Sequence, residues 1–277
     1  MTPSPLPEAL PEHRVILENT DWASLMAPQE SGGFLPEALM RLLDADPAVR
    51  AAAAEEALIG HQNTIYEATV PVARFVAAIL DHPAVAAGED ETAAHGSASR
   101  PPTRAVLLKW LDDTAFDADD ETVTCGNRAC QGRYLDMHVD LKAFRDLRPW
   151  LFRAVRPFLD ADDPAVRDAA VLAAIPLAEH PDLTGHHDEL AARARHLLAT
   201  RTDRYTRDRA LDALESWGHD ISALESPDDI EARETWRRRM SIRLFLVRGW
   251  LGRMPGCLST RNLRGVGPVG PVGRGFR

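Results

Sequence analysis

The feature that most constrains this chain is a short string that occurs twice. Asp46-Pro47-Ala48-Val49-Arg50-Ala51-Ala52 returns as Asp163-Pro164-Ala165-Val166-Arg167-Asp168-Ala169. A weaker copy, Asp203-Arg204-Tyr205-Thr206-Arg207-Asp208-Arg209-Ala210-Leu211, places Arg207 40 residues after Arg167. Arg50 and Arg167 are 117 residues apart, or three steps of 39. Self-similarity near that period is the length of a helical hairpin that buries its apolar face only against the next copy. The string itself reads as a helix start. Asp caps free backbone N–H groups, and Pro suits the first helical position because it has no N–H to lose. Val49 and the alanines after it offer a small-residue face for close packing. The arginine one turn in is placed to reach an acidic loop residue of an adjacent copy.

The rest of the chain agrees with helix. Ala, Leu, Arg and Glu dominate, and no alternating strand pattern or glycine-rich loop after a strand occurs. Val72, Phe75, Val76, Ile79 and Leu80 have core-helix spacing, as do Val106, Leu107, Trp110 and Leu111. Further helices are expected over 137–159, broken at Pro149, and over 165–178, 187–199 and 206–217. Two stretches read as insertions: 84–104, rich in Gly, Ser and acid, and 114–133, acidic and then Cys125-Gly-Asn-Arg-Ala-Cys130. Residues 1–19 are proline-rich at the outset and read as a flexible N-terminus.

At this point a resemblance can be stated. Asp-Pro-x-Val-Arg-x-Ala-Ala is similar to the signature of HEAT repeats, including the short type related to phycobilisome-lyase repeats. Asp21-Trp22-Ala23-Ser24-Leu25, then Leu35-Pro36-Glu37-Ala38-Leu39, the first copy, and His61-Gln62-Asn63-Thr64-Ile65-Tyr66-Glu67-Ala68 before Phe75 follow one another. That order resembles a group of actinobacterial HEAT-repeat proteins. The resemblance covers residues 20–225. It implies an all-α solenoid of HEAT-like hairpins with about ten helices. In it Asp46, Pro47, Val49, Arg50, Asp163, Pro164, Val166, Arg167 and Arg207 are structural. It also implies an accessory or immunity-type binder of another protein, with no enzymatic activity and no cofactor. Two HEAT-like enzymes are the alternatives: bilin lyases, which need a tetrapyrrole, and alkylpurine DNA glycosylases, which need a basic groove.

Charge argues against the second. Residues 235–277 hold ten arginines and no acid; with a whole-chain charge of -10, a tail of +10 leaves -20 on residues 1–234. Such a body repels nucleic acid and suits a protein partner with a basic surface. Residues 226–254 form a basic amphipathic segment with Trp236, Met240 and Leu244 on its stripe, expected to cap the array rather than lie on an anionic membrane. Residues 255–277, with Gly-Val-Gly-Pro repeated, are expected to be disordered. Three cysteines in 277 residues make no disulfide framework, and no apolar run approaches a membrane span. A cytoplasmic monomer is the expectation.

No catalytic constellation emerges; the nucleophile-elbow, P-loop and metalloprotease patterns are all missing from the sequence. Cys125 and Cys130, with His138 eight residues on, lack the second ligand pair of a structural zinc site. His186 and His187, near His180, Asp188 and Glu189, point in different directions at a helix start and do not chelate as an i, i+4 pair would. His61, Gln62, Asn63, Thr64, Tyr66 and Glu67 concentrate hydrogen-bonding groups between two apolar helices. They read either as an inter-repeat turn or as the floor of a binding groove.

Overall fold

The computed structural model describes residues 11–28, 31–60, 64–86 and 101–235. Among them the regular structure is helical, with no strand and a single isolated bridge between Met26 and Ser31. The α-helices are α1 (His13–Glu18), α2 (Leu35–Arg41), α3 (Pro47–Ala57), α4 (Thr69–Ile79), α5 (Pro83–Ala86) and α6 (Thr103–Asp117). They continue as α7 (Asp120–Ala129), α8 (Tyr134–Met137), α9 (Val139–Val155), α10 (Pro164–Leu177), α11 (His187–Thr200) and α12 (Arg204–Ser216). A further helical run occupies 227–235. The chain is all-α over its described part, with more helices than the ten or so expected from the sequence.

Two successions of contacts organise these helices. α3 packs on α6, α6 on α10, and α10 on α12. In a second row α1 packs on α4, and α4 on α9. The pairs α2–α3, α9–α10 and α11–α12 are consecutive helices packed together. α10 touches α6, α9, α11 and α12, so it lies at the centre. Its composition allows this: Ala170, Ala173 and Ala174 are fully buried, and helices whose contact faces are alanine approach more closely than leucine faces permit. Leu107, Leu108 and Leu111 of α6 fill the space left over, each wholly out of solvent. Burial of that kind contributes about 1.5–3 kcal/mol per side chain.

The starts of α3, α10 and α12 are capped as Asp allows. Asp46 accepts the Ala48 N–H, Asp163 those of Ala165 and Val166, and Asp203 that of Thr206. Only α6 stands between α3 and α10 in their row. α6 starts 56 residues after α3 and 61 before α10, and both intervals hold further helices, α4 and α5 in the first and α7 to α9 in the second.

Several expectations need correction. The stretch 114–133 is not a loop insertion: α6 runs on to Asp117, and Asp119 caps α7 by accepting the Thr122 N–H. Nor does Pro149 break α9. Proline leaves the carbonyl four residues earlier without its N–H donor, and here Arg148 Nε donates to that Arg145 carbonyl at 3.3 Å. Residues 13–18, inside the segment read as flexible, are helix α1. It is anchored by buried Ile16 and by His13, whose ring meets Phe75 edge-on at 5.9 Å. Of the 84–104 insertion, 84–86 belongs to α5 and 103–104 to α6, while 87–100 lies outside the described residues. So do Trp236, Met240, Leu244 and the remainder of 236–277.

Trp22, Trp110 and Trp150 are core residues, and Trp22 and Trp110 direct their indole N–H groups to the Leu17 and Ile59 carbonyls. α7 and α8 meet where Gly126 leaves room for a ring. A Cβ at Gly126 would lie closer to the Tyr134 ring atoms than van der Waals contact allows. Gly126→Ala is therefore expected to displace Tyr134 and destabilise the fold by about 1–3 kcal/mol, read by chemical denaturation. Gly60→Ala, with open space at its Cβ position, serves as the comparison and should leave the midpoint nearly unchanged.

Candidate functional site

The repeat arginines are joints within the fold. Arg50 is 2% exposed and donates to the Asp44 and Ala45 carbonyls at 2.9 and 3.0 Å, with Nε on Thr103 Oγ1 at 3.1 Å. Arg167 donates to the Ala161 carbonyl at 2.9 Å. Arg207 donates to the Leu198 and Leu224 carbonyls at 2.8 and 3.0 Å, reaches that of Arg201 at 3.4 Å, and pairs with Asp229 at 2.7 Å. All three meet the carbonyl six residues upstream, in the turn that leads into their own helix. The acid that Arg207 meets, Asp229, belongs to the run 227–235 and not to another copy, and the bonds common to all three arginines are to backbone. The reason is geometric: from the first turn of a helix, the carbonyls of the incoming chain are nearer than the next hairpin. Val166 is buried, whereas Val49 is only half-buried.

Of the groove candidates, His61, Gln62 and Asn63 lie outside the described residues. Thr64 is exposed, and the half-buried Tyr66 gives its backbone N–H to Thr69 Oγ1 at 2.9 Å. Glu67 is exposed, and its Oε2 accepts the Met26 N–H at 2.8 Å, while the Met26 carbonyl accepts the Ala68 N–H at 3.2 Å. The segment at Met26 is thus strapped across the start of α4. Asp140 stands at the start of α9, and its carboxyl is pushed above the ordinary range by burial and then by the charge of Glu67. Met26, Met137 and Val139 are 59%, 61% and 64% exposed. The beginnings of α4 and α9 therefore share an edge that carries two neighbouring carboxylates and, on the segments bearing them, three solvent-facing apolar side chains. Neither carboxylate has an ion pair among the described residues. Sequence reasoning found Glu67 but missed Met26, Val139 and Asp140, which only the packing of α4 on α9 brings to it.

The remaining candidates separate. Cys125 and Cys130 are half-buried and not joined to each other, and His138 lies against the Tyr134 ring at 4.4 Å. Among the described residues no group of three or more His, Cys, Asp or Glu side chains could hold a metal. His186 lies against Phe152, His187 stacks on Trp217 with Nε2 2.9 Å from the Ala178 carbonyl, and His180 Nδ1 accepts the Asp182 N–H.

No family model, curated protein or solved structure matches the chain. The functional reading rests on the geometry.

Two buried polar clusters complete the chemistry. In one, Arg148 is 2% exposed and donates to the Pro176 carbonyl and to Glu179 Oε2, each at 3.3 Å. Glu179 Oε2 also accepts the Asp120 N–H at 2.8 Å, and Asp120 pairs with Arg145. Burial, followed by the nearby Asp120 charge, pushes the Glu179 carboxyl up to about 7. The second cluster joins Asp112 and Asp113 of α6 to Tyr205 and Arg209 of α12.

Two predictions follow from these contacts. Arg50→Ala and Arg167→Ala are each expected to lower stability by about 1–3 kcal/mol through unsatisfied carbonyls, measured by denaturant titration. Arg261→Ala in the tail is expected to leave it unchanged. For Glu179, a folded value raised above the unfolded one means stability that is present at acid pH and lost as pH rises to about 7. The melting temperature should fall over that interval, by the equivalent of roughly 2–3 kcal/mol. Glu179→Gln should flatten the profile.

Proposed function

We propose that this chain is a non-catalytic scaffold, a solenoid of HEAT-like helical hairpins, and that it binds a protein partner with a basic surface. Two features support the architecture. The Asp-Pro-Ala-Val-Arg copies begin α3 and α10, the weaker copy begins α12, and these helices with α6 follow one another in a single packed row. Consecutive helices form the hairpins α2–α3, α9–α10 and α11–α12, as a stacked array requires.

The observation that carries the binding reading is the edge at the starts of α4 and α9. Glu67 and Asp140 are close enough for one to perturb the other, and neither is neutralised by an ion pair among the described residues. A cationic side chain placed between them relieves that repulsion directly. Met26, Met137 and Val139 add apolar surface of the kind that flexible partners use, methionine being adaptable in shape. A partner with arginine or lysine beside apolar residues fits both halves. The excess of acid over residues 1–234 steers such a partner to the body at long range.

The test uses the full chain and, as probe, a synthetic amphipathic peptide of arginine and leucine. Retention by the immobilised chain should weaken with added salt. Glu67→Gln with Asp140→Asn, which removes both charges while leaving an acceptor for the Met26 N–H, should reduce affinity by about tenfold or more, equivalent to roughly 1.4 kcal/mol or more, with little change in the melting temperature. Equal affinity in the double variant would remove the edge as the binding surface.

A further inference from the structure

Asp112 lies near the middle of α6 and is entirely out of solvent. It faces the first turns of α12. Tyr205 Oη is hydrogen-bonded to Asp112 Oδ2 and stands 2.6 Å from Asp113 Oδ1, and Arg209 Nη2 donates to it at 3.3 Å. A phenol oxygen carries one proton and two lone pairs. If both carboxylates were ionised, that single proton would serve two acceptors, and the second carboxylate oxygen would face a lone pair at hydrogen-bond distance. The cluster needs one more proton.

Three observations place it on Asp112. Asp113 is half-exposed and holds Lys109 Nζ at 2.9 Å, so it is both solvated and paired as an anion. Among the described residues no cation donates a hydrogen bond to Asp112. Arg209 Nε stands 3.8 Å from Asp112 Oδ1, and both atoms are buried without a hydrogen-bond partner. The Arg209 guanidinium lies instead over the Phe116 and Tyr205 rings. An unpaired carbonyl oxygen of a neutral acid costs far less in such a place than an unpaired carboxylate oxygen. Burial also pushes the Asp112 carboxyl upward, against the opposing pull of Arg209.

We propose that Asp112 is a neutral carboxylic acid in the folded chain, that it donates to Tyr205 while Tyr205 donates to Asp113, and that this relay is a proton-dependent clasp between α6 and α12. Every valence at Tyr205 Oη is then used: its lone pairs by Asp112 and Arg209, its proton by Asp113. The groups acting on Asp112 are Arg209, Asp113, Tyr205 and Lys109. On the helices packed against α6, Glu55 and Asp140 are not among the groups that act on Asp112, and the following charged residues are engaged elsewhere. On α10, Arg167 holds the Ala161 carbonyl and Asp168 holds Arg201; on α3, Arg50 holds the Asp44 carbonyl and Glu56 holds Arg41; on α9, Arg145 and Arg148 turn to Asp120 and Glu179. Deprotonation is balanced along the relay. The Asp112 proton passes to Tyr205 Oη as the phenolic proton passes to Asp113, which releases it to water. The charge left behind on Asp112 is buried, and the clasp loosens.

A raised carboxyl value in the fold gives stability present at low pH and lost as pH rises through that value. The test is a carboxyl-carbon NMR titration of the full chain with labelled aspartate, from about pH 5 to about pH 9. Asp112→Asn assigns the resonance. At neutral pH Asp112 is expected in its protonated position with Asp113 ionised. Where Asp112 titrates, backbone signals of 109–113 and of 205–209 should move together. Asp112→Asn retains a donor to Tyr205, so it should melt close to the native chain at neutral pH and lose the decline on the alkaline side. Glu179, whose value is pushed up to about 7, is separated by recording the melts of both chains in a Glu179→Gln background. An ionised Asp112 at neutral pH in the native chain overturns the proposal, and so does an unchanged alkaline decline in Asp112→Asn. If that variant does not fold, Tyr205→Phe supplies the assignment by shifting the Asp112 resonance, and the titration of the native chain decides.

Discussion

The structure depends on how closely α10 sits against α6. Four helices touch α10, and short side chains on part of its surface let them approach closely. Alanine supplies these at 170, 173 and 174, and the leucines of α6 interlock with the surface it leaves. A longer residue at one of these alanines would be felt on both sides of α10, since α6, α9, α11 and α12 all pack against it.

Close packing of helices leaves little water for the carbonyls at their ends, and this chain meets the shortage with arginine. Arg50, Arg104, Arg148, Arg167, Arg193 and Arg207 each donate to a carbonyl in the last turn of a helix or in the chain that follows it. Arginine suits the task because its donors form a rigid fork and its charge is favourable near a helix C-terminus. The abundance of arginine is visible in the sequence, but its use is not, because composition does not reveal which carbonyls lack partners.

What could be read in advance follows from the range of the interaction. Asp46 and Asp163 act within three residues of themselves, so their place at helix starts was legible, as was the helical character of the chain. Pro149 misled because its rescue comes from Arg148, a neighbour whose role depends on where the α9 axis runs. Residues 114–133 misled because Gly126 and two cysteines look like loop composition, while the small residue is there to admit Tyr134. Glu67 was visible as one polar residue in a polar stretch. Its partner Asp140 is more than seventy residues away in the chain. Asp112 carried no local signal: an acid in an α-helix next to another acid looks solvated until α12 is laid over it.

Arg207 touches three separate pieces of backbone, at Leu198, Arg201 and Leu224, and the carboxylate of Asp229. One side chain thus holds the end of α11, the connection into α12, the chain that leaves it and the run 227–235. Because one rigid guanidinium makes all of these bonds, movement of any one piece pulls against the others. The last described helices are thus coupled to one another through a single side chain.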